Sequence, residues 1–286
     1  MSFAVVCVLH DSRDDLARLL ASLDHLRERP RLVVVDSGSR DGGAQLARDA
    51  GADVVVLDGN PGFGAANNAG LERVREDVTV LLNPDIELLD DGLERLVARP
   101  RERDVLVAPR LLNPDGTPQR SAHPRPGTVG ALVPAVWPPQ VMPRALRERF
   151  DPWRADTPRD VGWAIAAALA ARTATLRRLG PFDPADFLLY EDLDLCLRAA
   201  AAGVPTEFRP EVALRHRGGH AVERGGEPFV LHARRRREVV ERRLGRRALR
   251  LDDAAQALTF SSRALLHRGR ARERAQLGAL LRARRG

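Results

Sequence analysis

Within its first hundred residues the chain alternates short runs of β-branched residues with segments of helical spacing, and this alternation most constrains its fold. Phe3 to Leu9, Arg31 to Asp36, Asp53 to Leu57 and Asp77 to Leu82 read as strands. Runs such as Leu32-Val33-Val34-Val35 are apolar on both faces, as buried parallel strands require. Ser12 to Leu26 reads as a helix, with a Ser cap and Asp14 and Asp15 in the first turn, where the helix dipole favours acids. Strand–helix alternation at this pitch implies right-handed crossovers and a doubly wound sheet with helices on both faces. Between Pro100 and Arg159 the pattern weakens. Trp137-Pro138-Pro139 and Pro143 discourage regular structure there, so a loop-rich insertion is expected. Order returns at Val161 with a strand-like run, a helix from Thr173, a turn at Gly180-Pro181 and a helix from Glu191; from Phe229 onward the spacing is helical.

Composition excludes several chemistries. All 46 basic side chains are Arg, so no Lys exists to form a Schiff base or to clamp a phosphate in a P-loop. The two cysteines, Cys7 and Cys196, sit in separate apolar runs outside any Cys/His cluster and are expected as reduced thiols. No basic region precedes the first strand, so no signal peptide is expected. The most apolar stretches, 130–142 and 161–171, fall short of the roughly 20 residues needed to span a bilayer. Charge is unevenly spread: residues 233–286 hold 17 Arg against 5 acids, whereas the remainder holds 29 Arg against 34 acids.

Three local patterns in the first half point to a nucleotide. In Val33 to Gly42 a buried strand ends on Asp36 and a Ser/Gly-rich turn follows; ligands of open parallel sheets bind beyond such carboxyl ends. A carboxylate there accepts hydrogen bonds from a ribose hydroxyl or a pyrimidine N–H, although an Asp capping its own turn has the same local sequence. In Asn60 to Gly70 the glycines allow close backbone approach, and a helix N-terminus near Gly64 presents its N–H groups. In Leu81-Leu82-Asn83-Pro84-Asp85, Asp85 lies just past a strand, suited to a hard divalent cation shared with substrate phosphates. The second half adds Phe182-Asp183, then Glu191-Asp192-Leu193-Asp194 at a helix start, then His216 after a short apolar strand. Asp194 and Arg198 are four apart and read as an ion pair. Glu191 and Asp192 lie about 100° apart around the helix, so one can face a site while the other is held by neighbours.

Taken in order, these segments resemble the family-2 glycosyltransferases, especially a bacterial rhamnosyltransferase-like branch. That branch reads approximately V-V-D-N-x-S-x-D-G, N-x-G-F-G-x-A-N-N-x-G, L-L-N-P-D, G-x-F-D, E-D-x-D-L-C-x-R and H-x-G-G. Matching segments run from Phe3 to about His220. The resemblance implies a GT-A nucleotide-sugar-binding fold: a Rossmann-like α/β, mixed but mostly parallel sheet flanked by helices, here with a helical C-terminal appendage. It implies a catalytic domain over residues 1–226, with a nucleotide-binding half over 1–110 and an acceptor half over 160–226, and a basic extension over 227–286. His10, Asp36, Asn68, Asp85 and Trp163 are then expected around the nucleotide-sugar. Asp192 is expected as general base supported by Glu191, and Asp85 and His216 as ligands of Mn2+ or Mg2+. Asn83 departs from a strict DxD, Ser37-Gly38 from the usual Asn after Asp36, and His220 from a common Ser.

The expected reaction moves a sugar from a nucleoside-diphosphate donor, dTDP-rhamnose first and a UDP-sugar next, to the hydroxyl of a glycan or lipid-linked acceptor, with inversion. The expected setting is cytoplasmic, with the Arg-rich tail a candidate contact for an anionic membrane surface. Nucleic acid is not expected, because the tail nearly lacks aromatic residues for base stacking. A GT-A-like nucleotidyltransferase would also use a strand-end Asp and a metal, but Leu9-His10-Asp11-Ser12 is not its basic, Gly-rich phosphate loop. A non-catalytic membrane-binding protein would leave the ordered motifs without a role.

Overall fold

The computed structural model describes residues 2–137, 141–180, 182–183, 189–218, 228–266 and 270–284. Pro138, Pro139, Pro181 and His220, which enter the sequence reading, lie outside the described residues. The chain divides into two compact units, Met1–Ala122 with Asp156–Gly218, and His123–Ala155 with Gly219–Gly286.

The first unit is built on β1 (Ala4–Leu9), α1 (Arg13–Ser22), β2 (Arg31–Asp36), α2 (Gly43–Asp49), β3 (Asp53–Val56), α3 (Phe63–Arg73) and β4 (Val78–Leu82). These elements coincide with the alternation in the sequence to within a few residues. The unit continues through β5 (Ile86–Leu88), α4 (Gly92–Glu102), β6 (Leu106–Leu112) and β7 (Ala122–His123), the last at its boundary. Nine strands among the described residues form one sheet, in the order β3-β2-β1-β4-β10-β6-β11-β5, with β8 paired to β11. Here β8 is Arg159–Val161, β10 is Ala168–Arg172 and β11 is Thr206–His216; the short β9 (Trp163–Ala164) precedes β10. β1, β2, β3 and β4 pair in parallel, as do β6 and β11, whereas β10 runs antiparallel to both β4 and β6. β5 follows β4 after only residues 83–85 yet pairs antiparallel with the end of β11, at the far end of the strand order. The sheet therefore curls, bringing the exits of β4 and β11 together.

Two features explain this geometry. First, Pro109 sits inside β6 and cannot donate to a ladder; the register of β11 against β6 shifts between Arg209 and Ala213, opposite this proline. β11 thereby bends and delivers its last residues to β5. Second, α3 lies directly on the sheet at Gly70. A Cβ there would come within 2.5 Å of Val6 Cγ1 and 2.9 Å of Val35 Cγ2. Gly70→Ala is expected to lower unfolding stability by about 1–3 kcal/mol, the usual cost of overpacking a close-packed interior; urea denaturation checks it, and an unchanged midpoint would mean the helix is not seated on this face.

The core follows the strands. Val5, Cys7, Leu9, Leu16, Leu19, Val34, Val80, Val107 and Leu214 are fully enclosed. The 100–159 stretch is more ordered than its Pro and Arg content suggests. Its Leu106-Val107-Ala108 run is a central strand, and Val129–Val136 and Arg144–Phe150 form helices α5 and α6. Past β10 come α7 (Thr173–Leu179) and α8 (Glu191–Ala201), which with β11 complete the first unit.

In the second unit, α9 (Phe229–Leu266) and α10 (Arg270–Ala283) accompany α5 and α6. Gly245 interrupts α9 with φ 83° and ψ 173°, an extended left-handed conformation open to glycine. The chain folds back there, and Arg236 grips the buried Asp252 bidentately at 2.8 Å on each branch, while Arg237 pairs with Asp253. Among the described residues, no helix is long and apolar enough to cross a membrane.

Candidate active site

The carboxyl ends of the parallel strands gather the residues singled out in the sequence. His10 follows β1 and Asp36 ends β2, where Leu9 and Asp36 are register partners. His10 Nδ1 lies 2.8 Å from the Ser37 carbonyl, which only accepts, so Nδ1 is the donor. Asp36 is buried and accepts from Ser39 N at 3.0 Å. The turn is braced by Asp41, whose two oxygens accept from Arg13 N and Gly43 N, the first residues of α1 and α2. Asp11 holds this corner in a left-handed conformation at φ 49°, accepting from Arg40 N at 2.8 Å. Such a backbone in a non-glycine residue costs energy that the surroundings must supply, a pattern concentrated at ligand sites.

Asn68 is fastened to a segment distant in sequence. Its Nδ2 donates to the Phe182 carbonyl at 2.9 Å and its Oδ1 accepts from Phe182 N at 3.2 Å, while Phe63 and Phe182 stack edge to face at 5.6 Å. The carboxamide is engaged at both ends, fastening the start of α3 to residues 182–183.

Asp85 and His216 are brought together across the curl. Asp85 is 7% exposed; its Oδ2 accepts from Gly218 N at 2.9 Å and lies 3.4 Å from His216 Nε2. Gln119, which the sequence does not single out, orients the imidazole. Its Nε2 donates to the His216 carbonyl at 2.7 Å, so its Oε1 is the atom that accepts from His216 Nδ1 at 2.8 Å. When the ring is neutral, its Nε2 lone pair faces a carboxylate oxygen. Two such acceptors repel unless a cation, or a second proton on the ring, lies between them. Close by in sequence, Asn83 Oδ1 is shut off from solvent without a hydrogen-bond donor. A carboxylate, an imidazole nitrogen and an amide oxygen suit Mn2+, and Mg2+ less well. Among the described residues no cluster of three or more His, Cys, Asp and Glu is placed to hold a metal.

Asp192 occupies the first turn of α8. Its Oδ1 accepts from Leu193 N at 2.7 Å, yet burial dominates and pushes the carboxyl up to about 6, opposed by main-chain hydrogen bonds from Leu193 and Ala166. Glu191 is buried beside it, and Asp194 is fully buried in its ion pair with Arg198 at 2.7 Å. The preceding Leu189 and Tyr190 are both left-handed, at φ 80° and 67°. Trp163 is buried, with its ring 6.1 Å from that of Tyr190.

One tripeptide ties these parts together. In Ile165-Ala166-Ala167, between β9 and β10, Ala167 O accepts from Asn83 N at 2.8 Å while the main chain of Ala166 bonds Asp192. The exit of β4 and the start of α8 therefore flank the same turn. A cavity of about 740 Å³ lined by Arg75, Asp77, Arg101 and Arg172 shares no residue with this cluster.

Comparison with known proteins follows the same lines. A model described as glycosyl transferase family 2 matches residues 4–173, which excludes the segments holding Asp192 and His216. The N-acetylglucosaminyl-diphospho-decaprenol L-rhamnosyltransferase of Mycobacterium tuberculosis is 30% identical over 241 residues, 77% of this chain and 77% of that protein. The low-salt glycan biosynthesis hexosyltransferase Agl10 of Haloferax volcanii is 22% identical over 204 residues, 68% of this chain and 61% of that protein. Among solved structures, S. aureus TarS is similar at TM-score 0.57 and 17% identity; 99% of this chain matches, spanning about half (49%) of that one. The mannosyltransferase PcManGT from Pyrobaculum calidifontis, in complex with GDP-Man and Mn2+, is similar at TM-score 0.61 and 16% identity, over 99% of this chain and 85% of that one. At such identities the likeness is one of fold, and the fold is GT-A.

Proposed function

The chain belongs to glycosyl transferase family 2, and from that premise we propose that it transfers a sugar from a nucleoside-diphosphate donor to the hydroxyl of a glycan or lipid-linked acceptor, with inversion. That it is a glycosyltransferase follows from the family; donor, acceptor, stereochemistry and metal are the proposal. The observation that carries it is the turn at Ile165-Ala166-Ala167, which places a carboxyl of raised proton affinity beside the loop that presents Asn83 and Asp85. The rhamnosyltransferase relative favours dTDP-rhamnose as first donor, with UDP-sugars next, and by its name favours a polyprenol-diphosphate-linked acceptor in cell-envelope glycan synthesis.

In this reading Asp36 and His10 hold the nucleoside at the ends of β2 and β1, and Asn68 braces the wall that α3 and Phe182 form. Trp163 stands behind the acceptor side, supporting Tyr190. Asp192 accepts the acceptor hydroxyl's proton as the oxygen attacks the anomeric carbon and the bond to the donor diphosphate breaks, and buried Glu191 keeps the first turn of α8 in place. Asp85 and His216, with Asn83, would hold Mn2+ or Mg2+, which when bound offsets the charge developing on the departing diphosphate. Against a nucleotidyltransferase stands the family itself, whose chemistry is transfer at a sugar carbon.

The direct test incubates the chain with dTDP-rhamnose or UDP-sugars, Mn2+ and a polyprenol-diphosphate sugar, and looks for the extended product. Release of nucleoside diphosphate without a glycosylated product, from every donor, would refute the transfer reading. Gln119 supplies a subtler check. Gln119→Leu removes the acceptor that keeps the proton on His216 Nδ1, and outer-shell partners of this kind typically affect metal affinity 10–100-fold. A loss of that size in Mn2+ affinity is expected by calorimetry, with the thermal midpoint nearly unchanged; an unaltered titration would put the imidazole outside the metal site.

A further inference from the structure

The second unit carries an exposed apolar surface that the transfer reaction does not use. Residues 126–143 contain no charged side chain, and Arg125 and Arg144 bound them. α5 begins beside α9: a Cβ on Gly127, just ahead of the helix, would lie 2.5 Å from the Ala248 Cβ. Its outer face is open. Val129 and Val136, seven residues apart and so on one side of the helix, are 70% and 69% exposed; Trp137 is 42% and Val141 68% exposed. A second apolar line runs along α9, where Leu251, Leu258 and Leu265 recur every seven residues, all exposed.

Charge identifies what covers such a surface. The unit formed by residues 123–155 and 219–286 holds 23 Arg against 9 acids, whereas the other unit holds 23 Arg against 30 acids. Several of those 9 acids are already engaged: Asp252 and Asp253 by Arg236 and Arg237, Glu148 by Arg144 and Asp151 by Arg154. Arg234, Arg247 and Arg250 are exposed on α9, the last two adjoining Leu251. A second copy of the same surface would meet it with like charge, which disfavours self-association. Nucleic acid would satisfy the charge but not the aliphatic valines and leucines. We propose that this unit docks on an anionic lipid bilayer, with Val129, Val136, Trp137 and Val141 entering the headgroup region and the α9 arginines meeting lipid phosphates. The short uncharged helix is far below spanning length and has the aromatic edge typical of interfacial anchors. Each engaged Arg strengthens binding to an anionic leaflet about fivefold.

Trp137 makes the test specific, because Trp153 and Trp163 are buried at 8% and 6% exposure. Full-length protein, without donor, is mixed with vesicles of phosphatidylglycerol and phosphatidylcholine or of phosphatidylcholine alone. The expected result is co-sedimentation with the anionic vesicles only, weakening as salt is raised, together with a blue shift of tryptophan emission that Trp137→Phe abolishes. The double substitution Val136→Ser with Val141→Ser should weaken partitioning about tenfold while the protein remains monodisperse. Equal sedimentation with neutral vesicles, no sedimentation, or a wild-type dimer that the double substitution dissociates would each overturn the proposal. No step of this assay involves sugar transfer, so its failure leaves the transfer reading untouched, and a failed transfer assay leaves this one standing.

Discussion

Asp85→Ala should abolish Mn2+-dependent donor binding, by at least about 100-fold or roughly 2.7 kcal/mol, while the protein stays folded. The carboxylate is nearly enclosed, and its contacts include the Gly218 amide and the His216 ring. Neither contact spans a hydrophobic layer, and the Arg217 amide bonds the main-chain oxygen of residue 85, which the substitution retains. The charge also reaches the core: burial foremost, and then Asp85, raise the Cys7 thiol well above its ordinary range. Removing the carboxylate leaves that thiol neutral, so no new buried charge arises. Asp85→Asn separates shape from charge. It keeps an oxygen for Gly218 but should also lose the Mn2+ dependence. Calorimetric titration of donor with and without Mn2+ reads both variants, and unchanged affinity in either would move the metal site elsewhere.

The nucleotide half of the fold is legible because its signals are local. Strands β1, β2 and β4 are built on apolar runs, and each is followed by or ends at the residue types that the turn requires, so the positions of His10, Asp36 and Asp85 follow from the run that precedes each one. The ion pair of Asp194 with Arg198 is equally local, one helical turn apart. Illegible features depend on distant partners. Gln119 meets His216 across 97 residues and Asn68 meets Phe182 across 114, and neither polar residue differs locally from a solvated one. β6 escapes the reading because Pro109 interrupts its apolar run, and only the bulge in β11 makes that proline tolerable.

The tail shows how far periodicity alone carries. Leu251, Ala254, Ala255, Leu258 and Leu265 form one helical stripe in sequence, which admits either packing or an exposed face. The structure divides it. Ala255 is buried on the side where Asp252 and Asp253 meet the first half of α9, whereas the three leucines face outward. The fold-back at Gly245 makes this division, because it gives the two acids cationic partners sixteen residues upstream and so turns an acidic pair inward.

Asp192→Asn should cut turnover by at least about 100-fold with donor affinity nearly unchanged, since general-base help of this kind contributes about 10²–10⁴ in rate. The amide preserves size and can still accept from Leu193 N, but it has no basic lone pair for the acceptor hydroxyl. Wild-type kcat/KM should rise with pH and level off above about 6, the value to which burial lifts this carboxyl. The variant's residual rate should lack that limb. Stability supplies an independent reading, because the same burial that makes the group a base penalises its charged form in the folded state. A carboxyl whose folded value lies above its unfolded one contributes fully below pH about 4, and that contribution is lost as pH rises through about 6. Asp192→Asn should therefore unfold at the same temperature as wild type or higher at pH 8, and this advantage should shrink toward pH 4. An inactive variant that is also less stable at pH 8 would indicate that Asp192 holds α8 in place rather than removing a proton. A larger loss of turnover from Glu191→Gln than from Asp192→Asn would assign the base to Glu191, since the two carboxyls share the first turn of α8 and only the one that reaches the acceptor oxygen can take its proton.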